Sequence, residues 1–130
     1  MTLLGIGIDM VKVSRMEGIL RRWNQHFLDR IFTEAEQAYC LQKKMAHVHF
    51  SGRFAVKEAL LKALGSGVSQ GISWKEIETL PGESGQPRVA LSGRVRALAD
   101  EMGACEIFSS ITHDTDYAIA QVLLQGTKNA

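Results

Sequence analysis

Hydrophobic and polar positions alternate with a period of two between residues 3 and 11, which is typical of a β-strand. One face of the predicted strand holds Leu4, Ile6, Ile8 and Met10, and the other holds Gly5, Gly7 and Asp9. Because glycine has no side chain, the second face leaves room beside the Asp9 carboxylate for a ligand or for another backbone. A bulge or close packing would explain the same glycines, with Asp9 only ending the strand.

A capping box predicts a first helix after this strand, since Ser14 is followed three residues later by Glu17. We expect this helix to end near Ile31. Its apolar stripe consists of Met16, Ile19, Leu20, Trp23, Phe27 and Ile31. A basic row lies about a quarter-turn away and consists of Arg15, Arg22, His26 and Arg30. Such a row is either a solvated helix face or a docking surface for an acidic helix.

A second capping box, Thr33 with Glu36, predicts another helix that ends near Met45. His47 and His49 follow it at alternate positions. A His-x-His pair can bind zinc, but the sequence offers no clear third ligand, so we do not predict a zinc site here.

The next helical stretch, from Arg53 to Gly65, contains a carboxylate in an otherwise apolar setting. Glu58 projects between two apolar side chains, and the opposite side of the helix holds Val56, Leu60, Ala63 and Leu64. We therefore expect Glu58 to be partly desolvated and to need a cation. The helix carries more cations than one glutamate needs, namely Arg53, Lys57 and Lys62. We interpret it as half of a site for a metal and a phosphorylated ligand.

The second half of the chain predicts mainly strands. Two short strands, 77–80 and 88–91, flank a turn rich in glycine and proline, and Ser92 can cap a short helix. Strands over 106–113 and 117–125 follow, with a turn between them that leaves His113 at a strand end. That histidine either bonds to its own turn or meets a phosphate or a proton in transfer. We expect a flexible segment after residues 65–67 that leads into Ile72, and we expect residues 126–130 to form a frayed tail.

Composition predicts one compact domain, since a chain of 130 residues can bury roughly two thirds of its unfolded surface. No apolar run is long enough to span a membrane, and the first residues lack the pattern of a signal peptide, so we expect a cytoplasmic protein without membrane attachment. Cys40 and Cys105 have no metal-ligand or disulfide spacing, and we interpret them as buried thiols.

Charge is unevenly distributed although the net charge is only +1. Residues 1–65 hold ten Lys and Arg against six Asp and Glu, whereas residues 66–130 hold five against eight. The small net charge argues against general nucleic-acid binding. The basic half is where we expect an acidic partner to dock.

Four motifs in order resemble one enzyme family. They are Gly7-Ile8-Asp9-x-Val11; Phe32-Thr33-x-x-Glu36; Arg53-Phe54-Ala55-x-Lys57-Glu58-Ala59-x-x-Lys62-Ala63-x-Gly65; and Ser110-x-Thr112-His113 followed by Ala118-x-Ala120. Together they closely resemble holo-acyl-carrier-protein synthase, the small bacterial type of 4′-phosphopantetheinyl transferase, over nearly the entire chain. Thr112 stands where the family usually has Ser, and Gln86 where Lys is common.

The resemblance implies an α+β fold, a single small domain over residues 1–125 with an antiparallel sheet packed on a long central helix. It implies a Mg²⁺-dependent enzyme of lipid and fatty acid biosynthesis. This enzyme moves the 4′-phosphopantetheine arm of coenzyme A to a serine of apo-acyl carrier protein and releases adenosine 3′,5′-bisphosphate. It also implies a homotrimer with each coenzyme A site at a subunit interface.

The resemblance further assigns roles to residues of this chain. Asp9 and Glu58 match the magnesium-binding, catalytic carboxylates. It implies that Lys62 and His113 contact the pyrophosphate and take part in catalysis. It also implies contacts to other parts of the coenzyme from Lys44, Arg53 and Lys57. The basic row would orient the acidic carrier protein. Glu58, a water next to the metal, and His113 all remain open as the general base.

Two other classes use similar residues. A metal-dependent pyrophosphohydrolase needs carboxylates, Mg²⁺ and cations but has water as its nucleophile. A non-enzymatic nucleotide-binding regulator would keep the cations without requiring Asp9 or Glu58. Product analysis distinguishes all three.

Overall fold

The computed structural model describes residues 1–65 and 71–128, apart from the side chains of Trp23 and Asn24. Its elements, in chain order, are β1 (Thr2–Lys12), α1 (Val13–Ile31), α2 (Glu34–Leu41), α3 (Ala46–Leu64), a 3-10 turn (Trp74–Glu76), β2 (Ile77–Pro81), β3 (Pro87–Leu91), α4 (Gly93–Met102), β4 (Ala104–His113) and β5 (Tyr117–Gly126). The predicted α+β fold, with antiparallel sheet on a long central helix, is confirmed.

The central sheet has the order β1-β5-β4, and both of its pairings are antiparallel. Asp9 on β1 and Ile111 on β4 lie opposite the same residue of β5, Ala120. The hairpin of β2 and β3 forms a separate two-stranded sheet. The hairpin, the last two strands and α4 agree with the sequence predictions to within about two residues, which is the usual scatter of element boundaries.

Helix α3 packs directly on the glycine face of β1. A β-carbon on Gly5 would lie 2.1 Å from the carbonyl oxygen of Ala63, and one on Gly7 would lie 1.8 Å from that of Ala59. Both contacts are far too short for any side chain, so glycine here permits a close approach of strand and helix. Close packing of another backbone, one of the sequence alternatives, is confirmed at both glycines, and it brings Asp9 next to α3. The alternative of a bulge also has support, since the pairing of β1 with β5 shifts register between Leu3 and Gly5.

The apolar face of β1 consequently points away from the helix. Ile6, Ile8 and Met10 are each more than half exposed, at 55%, 57% and 60%. Cross-strand pairing places Phe108 in the same row as Ile6, with Leu123 between them, and Tyr117 beside Lys12. We call this surface the apolar sheet face, and its exposed members are Ile6, Ile8, Met10, Phe108 and Tyr117.

The two predicted capping boxes have different outcomes. The box of Thr33 and Glu36 is confirmed, because each side chain accepts a hydrogen bond from the other residue's backbone N–H. The box of Ser14 is wrong. Strand β1 continues without a break into α1, whose N-cap is Lys12, and the N–H of Val13 donates instead to Asp116 O at 2.9 Å. The turn before β5 thus supplies an acceptor for the first N–H group of α1.

Other boundaries shift as well. Helix α2 ends at Leu41 rather than near residue 45, and α3 begins at Ala46, so that both His47 and His49 lie on α3. Gly126 belongs to β5 rather than to a tail, since it pairs with Thr2 and Ala104. Residues 68–70 of the expected flexible segment, and the last two residues of the expected tail, lie outside the described residues.

The core is divided between two clusters that α3 joins. One contains Val56, Leu60, Ile77, Val122 and Leu124, and the other contains Met16, Leu28, Phe32, Cys40 and Phe50. Cys40 is buried as expected, but Cys105, the second residue of the edge strand β4, is exposed. None of the helices in the described ranges combines the length and the apolar character that crossing a membrane requires.

Lys57 and Glu36 form a fully buried ion pair between α3 and α2. The Lys57 ammonium donates to Glu36 Oε1 at 2.9 Å and to the carbonyl oxygens of Trp74 and Ile77. Glu36 Oε2 accepts from the N–H of Thr79 at 2.9 Å. Burial lowers the pKa of Lys57, and the charge of Glu36 opposes that shift. The pair fastens α2, α3 and β2 together.

Candidate active site

Asp9 and Lys62 meet where β1 crosses α3. The ammonium of Lys62 donates to Asp9 Oδ1 at 3.2 Å and to the carbonyl oxygen of Ile8 at 2.9 Å. The Asp9 side chain is largely covered, whereas half of the Lys62 side chain is exposed. The lysine therefore has a donor left for a ligand.

Glu58 lies one turn before Lys62 on the same side of α3. Burial raises the pKa of its carboxyl, the negative charge of Asp9 raises it further, and Lys62 opposes both effects. The expected desolvation of Glu58 is thus confirmed. We call Asp9, Glu58 and Lys62 the carboxylate half-site.

The donor set of the carboxylate half-site fits a magnesium ion. Mg²⁺ prefers oxygen ligands and is usually held by one or two carboxylates, with waters and substrate phosphates completing its shell. Within the described residues no group of three or more His, Cys, Asp or Glu could hold a metal, so a bound metal would take two protein carboxylates at most here. A cation between Asp9 and Glu58 would relieve the repulsion that raises the pKa of Glu58.

A second group of side chains surrounds the ring of Tyr39 on α2. The guanidinium carbon of Arg53 lies 4.3 Å from the ring centroid, and the ammonium of Lys43 lies 4.7 Å from it. The His49 ring meets the Tyr39 ring edge-on at 6.0 Å and the His113 ring at 5.8 Å. We call these five residues, Tyr39, Lys43, His49, Arg53 and His113, the cationic half-site.

Arg53 is the most constrained member of the cationic half-site. It is only 6% exposed, and its Nε has no hydrogen-bond partner among the described residues. A buried guanidinium without an acceptor is costly, and an anion is the natural complement. A cavity of about 150 Å³ next to Arg53 is also lined by Tyr39, His49 and His113. A neighbouring cavity of about 670 Å³, lined by Lys43, Lys44 and Asp114, shares His49 and His113 with it.

The structure thus separates the predicted site residues into groups. Asp9, Glu58 and Lys62 are together, and Arg53 and His113 are together with Lys44 close by. Within one chain Lys62 and His113 belong to different half-sites, although the resemblance implies that both contact the pyrophosphate.

Burial bears on two further predictions. Lys57 is not placed for a coenzyme contact, because its ammonium is fully buried and all three of its donors are used inside the fold. The basic row is exposed along α1, as expected. This exposure fits both the docking and the solvated-face interpretation.

Sequence reasoning missed Tyr39, Lys43 and His49 as members of a site. From the sequence, His49 is a candidate only for zinc binding. The signal that was available is its spacing of four residues from Arg53, which places both side chains on one face of the helix. No local pattern indicates that Tyr39 packs beside them.

Comparison with known proteins decides between the function classes. The family model of the 4′-phosphopantetheinyl transferase superfamily matches residues 5–122. A holo-[acyl-carrier-protein] synthase from Trichlorobacter lovleyi is 46% identical over 123 residues, which cover 95% of this chain and 98% of that protein. The chain belongs to the 4′-phosphopantetheinyl transferase superfamily. The predicted enzyme class, holo-acyl-carrier-protein synthase, is confirmed, and neither a pyrophosphohydrolase nor a non-enzymatic regulator is the right description.

Solved structures of the same transferase family have the same fold. The holo-[acyl-carrier-protein] synthase from Neisseria meningitidis superposes with a TM-score of 0.86 at 27% identity, covering 95% of this chain and 99% of that chain. The Helicobacter pylori synthase, solved in complex with coenzyme A, superposes with a TM-score of 0.81 at 32% identity, covering 92% and 99% respectively.

Proposed function

We propose that this transferase moves the 4′-phosphopantetheine arm of coenzyme A to a serine of an apo-acyl carrier protein and releases adenosine 3′,5′-bisphosphate, with Mg²⁺ as cofactor. The observation that carries the proposal is the meeting of Asp9, Glu58 and Lys62 at the crossing of β1 and α3. The Helicobacter pylori relative with bound coenzyme A supports this ligand.

Asp9 and Glu58 are the residues that would hold the magnesium ion. A magnesium ion held by these two carboxylates would supply positive charge to the pyrophosphate and so favour release of the leaving phosphate. The carboxylates need only supply oxygen ligands from a fixed position. The close approach of β1 to α3 supports such a fixed position, since neither element can shift away without losing the contact at Gly7.

The remaining groups bind and orient the two substrates. Lys62 is partly exposed and can turn from Asp9 to a phosphate oxygen. Arg53, His113 and Lys44 offer positive charge to the other phosphates of the coenzyme. The carrier serine forms the new phosphoester bond and gives up its proton, for which Glu58, His113 and a water next to the metal are the candidate acceptors.

We further propose that the active enzyme is a homotrimer whose site joins half-sites from neighbouring chains. Glu58 lies about 140° around α3 from Arg53, since successive helical residues turn by about 100°. Asp9 is on β1 and His113 is on β4, and these are opposite edges of the sheet. In one chain a ligand would have to pass around α3 to touch both half-sites, whereas a neighbouring copy can bring the two edges together.

The apolar sheet face supports association. Monomeric proteins seldom expose large contiguous apolar patches. The apolar sheet face extends from Ile6 and Met10 on β1 to Phe108 on β4. A second and third copy would remove it from water. Light scattering on the purified protein should give three chains per particle, and a fully active monomer would contradict an interfacial site.

The carrier protein is proposed to dock on the basic row of α1. Its members are exposed, so they are available to an acidic helix. The proposed location is the cytoplasm and the proposed context is lipid and fatty acid biosynthesis. The two free thiols, Cys40 and Cys105, are compatible with a reducing compartment.

The test is incubation with coenzyme A, Mg²⁺ and an apo-carrier protein, followed by intact mass of the carrier. Transfer adds the phosphopantetheine arm to the carrier, whereas hydrolysis would release it into solution. Asp9→Asn and Glu58→Gln should lose at least about a hundredfold in rate, since each removes a metal ligand. Glu34→Gln, which removes an exposed carboxylate of α2, serves as the matched control. Wild-type rates in folded Asp9→Asn would disprove the metal site.

A further inference from the structure

His49 is a histidine to which the proposed reaction assigns no role. It lies on α3 one turn before Arg53, between the rings of Tyr39 and His113. It also lines the small cavity beside Arg53 and the larger neighbouring cavity. A group that enters either cavity can therefore contact this imidazole.

The surroundings of His49 favour an anion over a metal. Burial lowers the pKa of His49, and the positive charges of Arg53, His113 and Lys43 lower it further. A metal cation would add to this positive charge, and within the described ranges no third His, Cys, Asp or Glu completes a metal site. The buried and unpartnered Nε of Arg53 independently points to a missing acceptor.

The other titratable groups nearby do not supply that acceptor. On α2, Cys40 keeps its proton, because burial raises the pKa of its thiol to about 12. After β4, the Asp114 carboxylate accepts from the N–H groups of Asp116 and Tyr117, each at 2.8 Å, and is thus engaged in its own turn. Lys44 adds a further cation at the edge of the larger cavity.

We propose that His49 is a phosphate-binding residue of the cationic half-site and that it takes up a proton when a phosphate dianion of coenzyme A binds. This inference rests on the proposed function, because that function supplies the ligand. In the free protein burial and the neighbouring cations disfavour the imidazolium form of His49 and lower its pKa. A dianion placed among Arg53, Lys43 and His113 reverses the local field and favours the imidazolium, which then donates to the phosphate.

The direction of the pH dependence follows from this cycle. Because the bound state holds the proton more tightly than the free state, affinity rises as the pH falls through the bound-state pKa of His49. The gain ends below the free-state pKa, where both states are protonated. The phosphate itself titrates near about pH 6, but this contribution is the same for every variant of the protein.

The experiment follows the imidazole signals of the four histidines by NMR across a pH titration. The protein is measured alone, with coenzyme A, and with dephospho-coenzyme A, which lacks the 3′-phosphate. His49→Gln assigns the His49 signal. His47→Gln is the matched control, because His47 is on the same helix but lies 3.9 Å from Glu17, outside the cationic half-site.

We expect the pKa of His49 to rise on adding coenzyme A, and the affinity of the wild type to be several-fold higher near about pH 6 than near about pH 8. His49→Gln should lose most of this preference, and His47→Gln should keep it. A rise with coenzyme A but not with dephospho-coenzyme A identifies the 3′-phosphate, a monoester dianion, as the bound group. An equal rise with both ligands would place the pyrophosphate beside His49 instead and overturn the assignment to a phosphate dianion. If coenzyme A binds with no change at His49, the inference is overturned while the proposed function stands. If folded protein fails to bind coenzyme A at all, both are overturned.

Discussion

Helix α3 carries two lysines that each pair with a carboxylate from another element, and their environments are opposite. Lys57 and Glu36 are 2.9 Å apart and neither side chain is exposed, whereas Lys62 and Asp9 are 3.2 Å apart with 53% and 18% of their side chains exposed. All three donors of Lys57 are used within the fold, but Lys62 uses two. A carboxylate partner therefore does not tell whether a lysine is structural or functional. Lys57 is identified as structural because it is buried and all of its donors have partners within the fold.

The largest effect is expected for the buried pair. Lys57→Met should lower the free energy of unfolding by about 3–5 kcal/mol, because it leaves the Glu36 carboxylate buried without a cation. Chemical denaturation at fixed protein concentration measures this. Lys62→Met on the same helix is the control and should change stability by less than about 1 kcal/mol, as expected for an exposed pair. Similar losses for both variants would remove the distinction between the two lysines.

The next effect is on coenzyme A binding, for which Lys62 should matter more than Lys57. Lys62→Met should weaken coenzyme A binding by about 1.5–3 kcal/mol, or about ten- to a hundredfold, because a charge-assisted contact is lost. Its removal also leaves Asp9 and Glu58 without their cation, so Mg²⁺ should bind more tightly when coenzyme A is absent. Isothermal titration with each ligand separates these results. Unchanged coenzyme A affinity would indicate that Lys62 only holds β1 against α3 and does not contact the coenzyme.

A smaller effect concerns Glu58, which lies beside the exposed pair of Lys62 and Asp9, and the way its titration makes stability depend on pH. The pKa of Glu58 is raised above its ordinary value of 4.5, so the native state binds this proton more tightly than the unfolded chain does. Its contribution to stability is greatest at low pH and is lost as the pH rises from 4.5 through the raised pKa. Denaturation at several pH values should show this decline in the wild type without metal. Glu58→Gln should lack it, and an identical profile in both proteins would contradict the desolvation argument.

The smallest effect on stability is expected for the basic row of α1. Arg15 and Arg22 are exposed, and each such charge contributes only about 0–1 kcal/mol. Replacing both by Glu should leave the fold intact, raise the KM for the carrier protein and reduce the salt dependence of transfer, with little change for coenzyme A. Steady-state kinetics with each substrate varied in turn tests this. Unaltered carrier kinetics would identify the row as a solvated helix face.

Short-range signals in the sequence were sufficient for much of the fold. The capping box at Thr33, the β2–β3 hairpin and the last two strands each depend on residues within a few positions of one another. The box at Ser14 has the same local pattern but fails, because β1 runs directly into α1 and a distant carbonyl, that of Asp116, satisfies the helix start. A local pattern cannot report such a competitor.

The remaining features depend on partners far away in the chain. Alternation in β1 identifies its two faces. That the glycine face is covered follows only from its packing against Ala59 and Ala63 of α3. Strand and helix periodicity single out Asp9 and Glu58 as candidate site residues, whereas their magnesium-binding role is implied only by the family motifs. The pairing of Lys57 with Glu36, and the meeting of His49 with Tyr39 and His113, arise from helix packing and have no signature in spacing or periodicity.

The close contact of Gly5 and Gly7 with α3 has a consequence for how folding and ligand binding are linked. Asp9 comes from the first strand, Glu58 from the central helix, and β1 is held in the sheet by the last strand, β5. Site occupancy and folding of the domain are therefore one coupled equilibrium, in which ligand at about a hundred times its Kd adds about 2.7 kcal/mol to the stability of the whole domain. A fragment that ends before β5 keeps both carboxylates in its sequence but has no strand to hold Asp9 against the helix.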